Sequence, residues 1–377
     1  MAIDKVVSAS ITADILETNF KNLVINGNMS IAQRGTSFTS ASGYTLDRFT
    51  WTDDSTSVFT ITQSTDVPSG QGFATSMKLD CTTANGSLGS TDQIRQVQKI
   101  EAQNLQHLRY GTSSAKSVTL SFWVKSNKTG IYCATLSQED DSYASFTKEY
   151  TISSSDTWEK KTLTFDGDTG GVINNDNGAG IWLMFAFGAG SGRHITADQW
   201  NSSYGLSTSN QVNLADSTSN ELYLTGVQLE VGTSATDFEF LPVDVNLKRC
   251  QRYFYLHAKQ TTGDEIGLGG YYNSSQIFLD FQFPVSMRAT PSLYQVSGTN
   301  YFTIYRNNGT DTLDDFTVGS ANVNVFGLYN NTDVSGTGGH AAFFRCTNSA
   351  SQIGAQSELW LIQWQKIIIL ESLKVTK

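Results

Sequence analysis

Tyr223-Leu-Thr-Gly-Val-Gln-Leu-Glu-Val-Gly-Thr-Ser-Ala-Thr-Asp-Phe-Glu-Phe-Leu-Pro242, followed closely by Lys248-Arg-Cys-Gln-Arg-Tyr-Phe-Tyr255, is the stretch whose reading decides the fold. Tyr223, Thr225, Val227, Leu229 and Val231 occupy every second position, the period of a strand, with Leu224, Gly226, Gln228 and Glu230 on the other face. Gly232-Thr-Ser stops the strand. Phe238, Phe240 and Leu241 then form a short extended piece that Pro242 ends. A second alternating run starts near Cys250 and reaches Leu256. This pattern predicts the last strand of one β domain, a tied-down linker, and the first strand of another.

Upstream, alternating segments recur at short intervals between Gly, Ser, Asn and Asp clusters: 58–63, 76–81, 94–100, 118–125, 130–136, 145–152, 159–165, 181–188 and 222–231. Residues 44–51 read as one more strand, residues 92–101 fit helix or strand equally, and 103–110 suggests a helical turn or two. Downstream, 250–256, 277–283, 292–296, 301–306, 323–328, 341–346 and 358–368 continue the pattern. In 277–283 the Ile277, Leu279 and Phe281 set is expected inside and Phe278, Asp280 and Gln282 outside. Short strands at this spacing without βαβ alternation predict an all-β chain of two antiparallel β-sandwich, jelly-roll-like domains. Their expected extents are 22–243 and 244–377, preceded by a short N-terminal arm, 1–21, whose Ile11, Ile15, Leu16 and Phe20 line one side of a short helix.

Composition agrees. Only 16% of residues are charged, below the ~25% of ordinary soluble domains, and Gly, Ser, Thr and Asn fill the gap. The formal charge of −10 comes with no basic block, so nucleic-acid binding is not expected. The longest apolar runs, 181–187 and 367–370, fall well short of a bilayer span, so no membrane insertion is expected. The four cysteines show no CxxC spacing and read as buried free thiols. The C-terminal run from Leu359 to Leu370 is apolar enough that burial at a subunit interface is expected.

Several blocks resemble bacteriophage tail-fibre and other virion-surface proteins: "NLVINGNMSIAQRGTSF" and "YTLDRFTW" within 22–51, "KIEAQNLQHLRYG" at 99–111, "SVTLSFWVKSNKTGIY" at 117–132, "GVQLEVGTSATDFEFLP" with "LKRCQRYFY" up to 256, and more weakly "FPVSMRATPSLY" at 283–294. The first part also resembles jelly-roll carbohydrate-binding modules, an analogy of fold that assigns no site. The resemblance implies a structural virion protein, a tail or head fibre subunit, assembled in the host cytoplasm as a homotrimer with other virion proteins as partners. The opening Met-Ala-Ile-Asp-Lys, which lacks an apolar core of signal-peptide length, fits that expectation. Alternatives are a capsid decoration protein and a glycan-binding or depolymerising protein.

Catalytic signatures are missing. There is no GxSxG, HExxH, Walker or dinucleotide motif, and the four histidines are dispersed, so no enzyme and no metal centre are expected. Asp166-Gly-Asp-Thr-Gly-Gly171 and Asn174-Asn-Asp-Asn-Gly178 offer oxygens for a structural Ca²⁺, but the spacing matches no EF-hand loop. They are read as polar turns, and no cofactor is assigned. Host glycan binding needs aromatic faces edged by hydrogen-bonding groups. Trp200, Tyr204, Trp182 and Tyr143 are the candidates, with the long segment 188–219 as the favoured surface element.

Overall fold

The structure is a computed structural model that describes residues 20–39, 42–259 and 264–359. All pairings between its strands are antiparallel, and four sheets form two groups. The expected arm, except Phe20 and Lys21, and the apolar run beyond Leu359 lie outside the described residues.

In the N-terminal half a six-stranded sheet runs Ser37–Thr39, Val58–Ser64, Ser76–Thr83, Glu221–Val231, Val118–Ser126, Glu159–Phe165. A seven-stranded sheet packs on it in the order Trp200–Asn201, Ala144–Ile152, Gly130–Gln138, Ala179–Ala189, Gln93–Glu101, Thr50–Asp53, Ser42–Tyr44. Trp51, Phe59, Phe122, Phe146, Phe165, Phe185 and Phe187 fill the space between them. The C-terminal half has a three-stranded sheet (Phe254–Lys259, Gln352–Gln356, Ser292–Val296). It also has a seven-stranded one in the order Gly309–Leu313, Phe302–Arg306, Ala341–Cys346, Glu265–Asn273, Gln276–Gln282, Val325–Asn330, Thr317–Asn322. Ile277, Leu279 and Phe281 face inward, as the alternation predicts, and join Ile304, Phe344 and Ile353 in a second core.

Three local expectations are corrected. Strand Glu221–Val231 is central and almost wholly buried, but its face assignment changes midway. A bulge between Thr225 and Gln228 places Gly226 at φ 63° and shifts the phase. Leu222 and Leu224 therefore face the core before the bulge and Val227 and Leu229 after it, while Tyr223 turns outward to Lys125 and Lys78. Residues 44–51 are not one strand. Phe49 N–H donates to Leu46 O and Thr45 N–H to Phe49 O, with Arg48 at φ 73°, so the chain reverses there. The run from Cys250 starts inside a helix, Val243–Gln251 (α1). Asn246, Leu247 and Cys250 recur at helical spacing, and Asn246 and Cys250 are buried. Pro242 is its N-cap, with an extended ψ of 142°, and accepts the first helical bond, from Asn246 N–H.

The two most recognisable sequence blocks meet at the joint between the halves. Asn26, at φ 61°, donates its side-chain amide to Ile31 O and Asp47 O and accepts from Ile31 N–H. Asn246 of α1 accepts from Asn26 N–H, and Gln33 donates to Phe254 O. Glu358 is fully buried and takes two guanidiniums, Arg34 at 3.3 Å and Arg48 in closer contact. Those guanidiniums stack on Phe254 and Tyr253, 3.5 and 3.4 Å from the ring centroids. Glu101 grips Arg252 through two bonds of 2.8 and 2.9 Å. Asp47 and Arg48 thus act as structural links between separate segments.

Candidate functional site

Three of the four proposed sugar-facing rings converge on the outer face of the N-terminal seven-stranded sheet. Tyr143 meets Trp182 edge-on at 5.4 Å and Tyr204 at 6.5 Å. Trp200 is on the opposite face, packed edge-on against Phe146 and Tyr110, with its indole N–H on Asp166 O.

The convergent rings are already engaged. Trp182 is 3% exposed, its N–H bonds Glu139 at 2.5 Å, and Lys99 Nζ lies 3.9 Å from its ring centroid. Burial pulls the Lys99 ammonium down to about 8. The Arg95 and Arg193 guanidiniums both lie over the Tyr204 ring, at 5.5 and 5.4 Å. Tyr204 O–H donates to Gln93 and accepts from Arg95.

The long segment 188–219 also proves to be a cover. It pairs His194 with Ser207 and Ala197 with Thr147, and Leu206 O receives the hydroxyls of Thr135 and Thr147. It therefore wraps its own sheet. The rest of that face is closed by Ile25, Ile31, Cys250, Tyr253 and Leu359. A sugar stacked here would have to displace packed protein.

The C-terminal seven-stranded sheet differs. Its outer face leaves Leu268 78% exposed, Tyr272 73% and Phe278 41%. Strand register lines up Thr310, Tyr305, Phe343 and Leu268 across four adjacent strands. Tyr305 and Phe343 stack at 4.8 Å with planes 6° apart, and the Arg345 guanidinium lies over both. Arg345 is tied to Glu265 at 2.7 Å, so the face presents a neutralised pair. Beside these rings is an open hollow of about 630 Å³, edged by Arg306, Asn307, Asn308 and Gly309. Asn307 and Asn308 make this two-residue hairpin turn at φ 42° and 60°, values that asparagine tolerates. The rings stack on each other beneath Arg345, so what they offer a sugar is their half-buried edges, with the amides of the turn beside them to hydrogen-bond its hydroxyls.

The sequence signal for this site was present. Tyr305 and Phe343 are large rings at outward positions of alternating strands, and Arg-Asn-Asn-Gly is a hairpin turn. Strand Gly309–Leu313, which follows that turn, was not expected because Thr and Asp make it look like loop.

The oxygen-rich stretches spend their carboxylates locally. Asp168 accepts from Gly170 N–H and the Gln138 amide, and Asp176 accepts from Gly178 N–H. Among the described residues no three His, Cys, Asp or Glu side chains converge as a metal site would require. No described helix is long and apolar enough to cross a membrane. All four cysteines are buried and unpaired.

What the fold and geometry define is an all-β protein of antiparallel sandwiches with an aromatic hollow on its C-terminal sheet. No family model matches the chain, and no curated protein does. Among solved structures it is similar to an enzymatically active domain of a tailspike protein from bacteriophage CBA120. The identity is 16% and the TM-score 0.29, over 56% of this chain and 21% of that one, so the match spans about a fifth of the tailspike. It is also similar to a putative sugar binding protein from Bacteroides thetaiotaomicron (12%, TM-score 0.31, covering 56% and 100%). A third is a family 11 carbohydrate-binding module from Clostridium thermocellum in complex with a mixed-linked tetrasaccharide (9%, TM-score 0.28, covering 53% and 98%). Likeness this low carries no argument about ligand or assembly.

Proposed function

We propose that this protein is a virion-surface attachment subunit that holds host glycans at the hollow beside Tyr305 and Phe343, by binding without turnover. The half-buried ring pair beside the Asn307-Asn308 turn carries the glycan part of this reading. The resemblance of residues 22–256 to phage fibre proteins supports the virion part.

A shallow site of this kind binds one sugar weakly, near millimolar or about −4 kcal/mol. Trimeric display on a virion multiplies the contacts and raises avidity by orders of magnitude. Such an arrangement needs no deep pocket, in keeping with the openness of the hollow.

The test is binding of labelled protein to host cells in competition with polysaccharide purified from their envelope. The polysaccharide should displace the wild type, and the Tyr305→Ala/Phe343→Ala double variant should bind no better than background. Equal binding by the double variant would refute the assignment. Hundreds of copies per virion together with no sugar binding would favour a capsid decoration role.

A further inference from the structure

The apolar surface on the outer face of the C-terminal seven-stranded sheet does not stop at the hollow. Leu268, opposite Phe343, is 78% exposed, and Gly270, two residues on, is opposite Phe278 of the next strand. Leu268 and Phe278 are therefore diagonal neighbours on one face, within reach of each other's side chains. Phe278 in turn is opposite Tyr329, their rings 6.0 Å apart, and meets Tyr272 edge-on at 5.7 Å. Tyr272 is 73% exposed. A stripe thus runs from Tyr305 through Phe343, Leu268 and Phe278 to Tyr329, one side chain from each of five adjacent strands. At the ~4.8 Å spacing of strands it is about 19 Å long.

Polar groups flank this stripe. The Asp280 carboxylate and the Ser320 hydroxyl both sit over Gly327, where a Cβ would come 2.9 and 2.5 Å from them. Both residues are exposed. Nearer the hollow, Arg345 is paired with Glu265. A protein surface laid along a stripe only one side chain wide would strip water from these groups, and each would then need a partner. A sugar chain meets both demands, with hydroxyls for the polar groups and apolar ring faces for the aromatic ones.

We propose that the glycan held on this face is a linear polysaccharide lying along the whole stripe, with Tyr272 and Phe278 as a second subsite and Asp280 and Ser320 hydrogen-bonding its hydroxyls. This rests on the reading of the hollow beside Tyr305 and Phe343 as a glycan site. Affinity then grows with the length of the chain until the stripe is filled.

Calorimetric titration with envelope polysaccharide hydrolysed and sized, from disaccharides to fragments longer than about 19 Å, tests this. Affinity should rise at least about tenfold from the shortest fragment to the longest. Tyr272→Ala/Phe278→Ala should bring the long fragment down to the affinity of the short one and leave the short one unchanged, with circular dichroism confirming the fold. Equal affinity of the wild type for short and long fragments overturns the second subsite and leaves the hollow in place. Length dependence that survives Tyr272→Ala/Phe278→Ala also overturns it, by placing the long chain across neighbouring copies. A fall in the oligomeric state of that variant, read by light scattering, overturns it as well, because a second copy would then cover the stripe. Binding of neither fragment refutes the hollow itself, and this extension with it.

Discussion

Glu358→Gln is the substitution from which the joint between the two halves predicts the largest loss. Glu358 is fully buried, as is the Arg48 side chain at 1% exposure, and Arg34 is at 8%. The exchange preserves shape but leaves two guanidiniums without a counter-charge. Breaking a buried pair by removing one partner costs about 3–5 kcal/mol. The Tyr253 and Phe254 ring faces and the Lys99 carbonyl remain to stabilise the cations, so the lower end, about 3 kcal/mol, is expected. With an m-value of about 3 kcal/mol/M, the urea midpoint falls by about 1 M. Tryptophan fluorescence and far-UV circular dichroism should both follow the unfolding. A midpoint within about 0.2 M of the wild type would refute the reasoning. The triple replacement Arg34→Met, Arg48→Met and Glu358→Leu should cost less than Glu358→Gln alone, because it removes both cations together with their counter-charge.

Three further outcomes follow from buried groups. Lys99 binds its proton less tightly when folded, at about 8 against an ordinary 10.5, so between these values the unfolded chain holds more protons and stability rises with pH. In urea titrations from pH 8 to 10, wild type should therefore gain about 2 kcal/mol relative to Lys99→Met, and a constant difference between the two proteins would contradict this. Burial pushes the thiols of Cys81, Cys133 and Cys346 up to about 11 and Cys250 well above its usual range, so iodoacetamide at pH 8 should label none of them until denaturant is added. Mass spectrometry reads this directly, and rapid labelling of any one would place it at the surface. A Cβ on Gly27 would sit 2.0 Å from Val227 O, so Gly27→Ala should lower stability by more than about 2 kcal/mol, visible as a fall in Tm.

Most of the fold was legible because its strands alternate. Residues 159–165, 292–296 and 341–346 coincide with observed strands, and Ile277, Leu279 and Phe281 point inward as their period requires. Alternation misled where the backbone leaves the regular path. Gly226 inserts a bulge and Arg48 turns at positive φ, and neither event changes residue polarity. The helix Val243–Gln251 was missed because Arg252-Tyr-Phe-Tyr255, which leads into the next strand, dominates the pattern. The candidate rings were read from residue type and loop context. Trp182, Tyr143 and Tyr204 do come together, but the cations that occupy their faces come from strand Gln93–Glu101 and from segment 188–219, a pairing that sequence spacing does not record. Outward-facing Tyr305 and Phe343 were passed over because adjacent aromatic strands read as core.

The account stands most directly on calorimetric titration of the wild-type protein with oligosaccharides cut from the host envelope. Heat of binding should reach half-saturation near millimolar ligand, a binding free energy of about −4 kcal/mol per site, and Phe343→Ala and Tyr305→Ala should each remove it while Trp200→Phe leaves it intact. Binding that survives both C-terminal changes and disappears with Trp182→Ala or Tyr204→Ala would contradict the account and return the site to the N-terminal sheet.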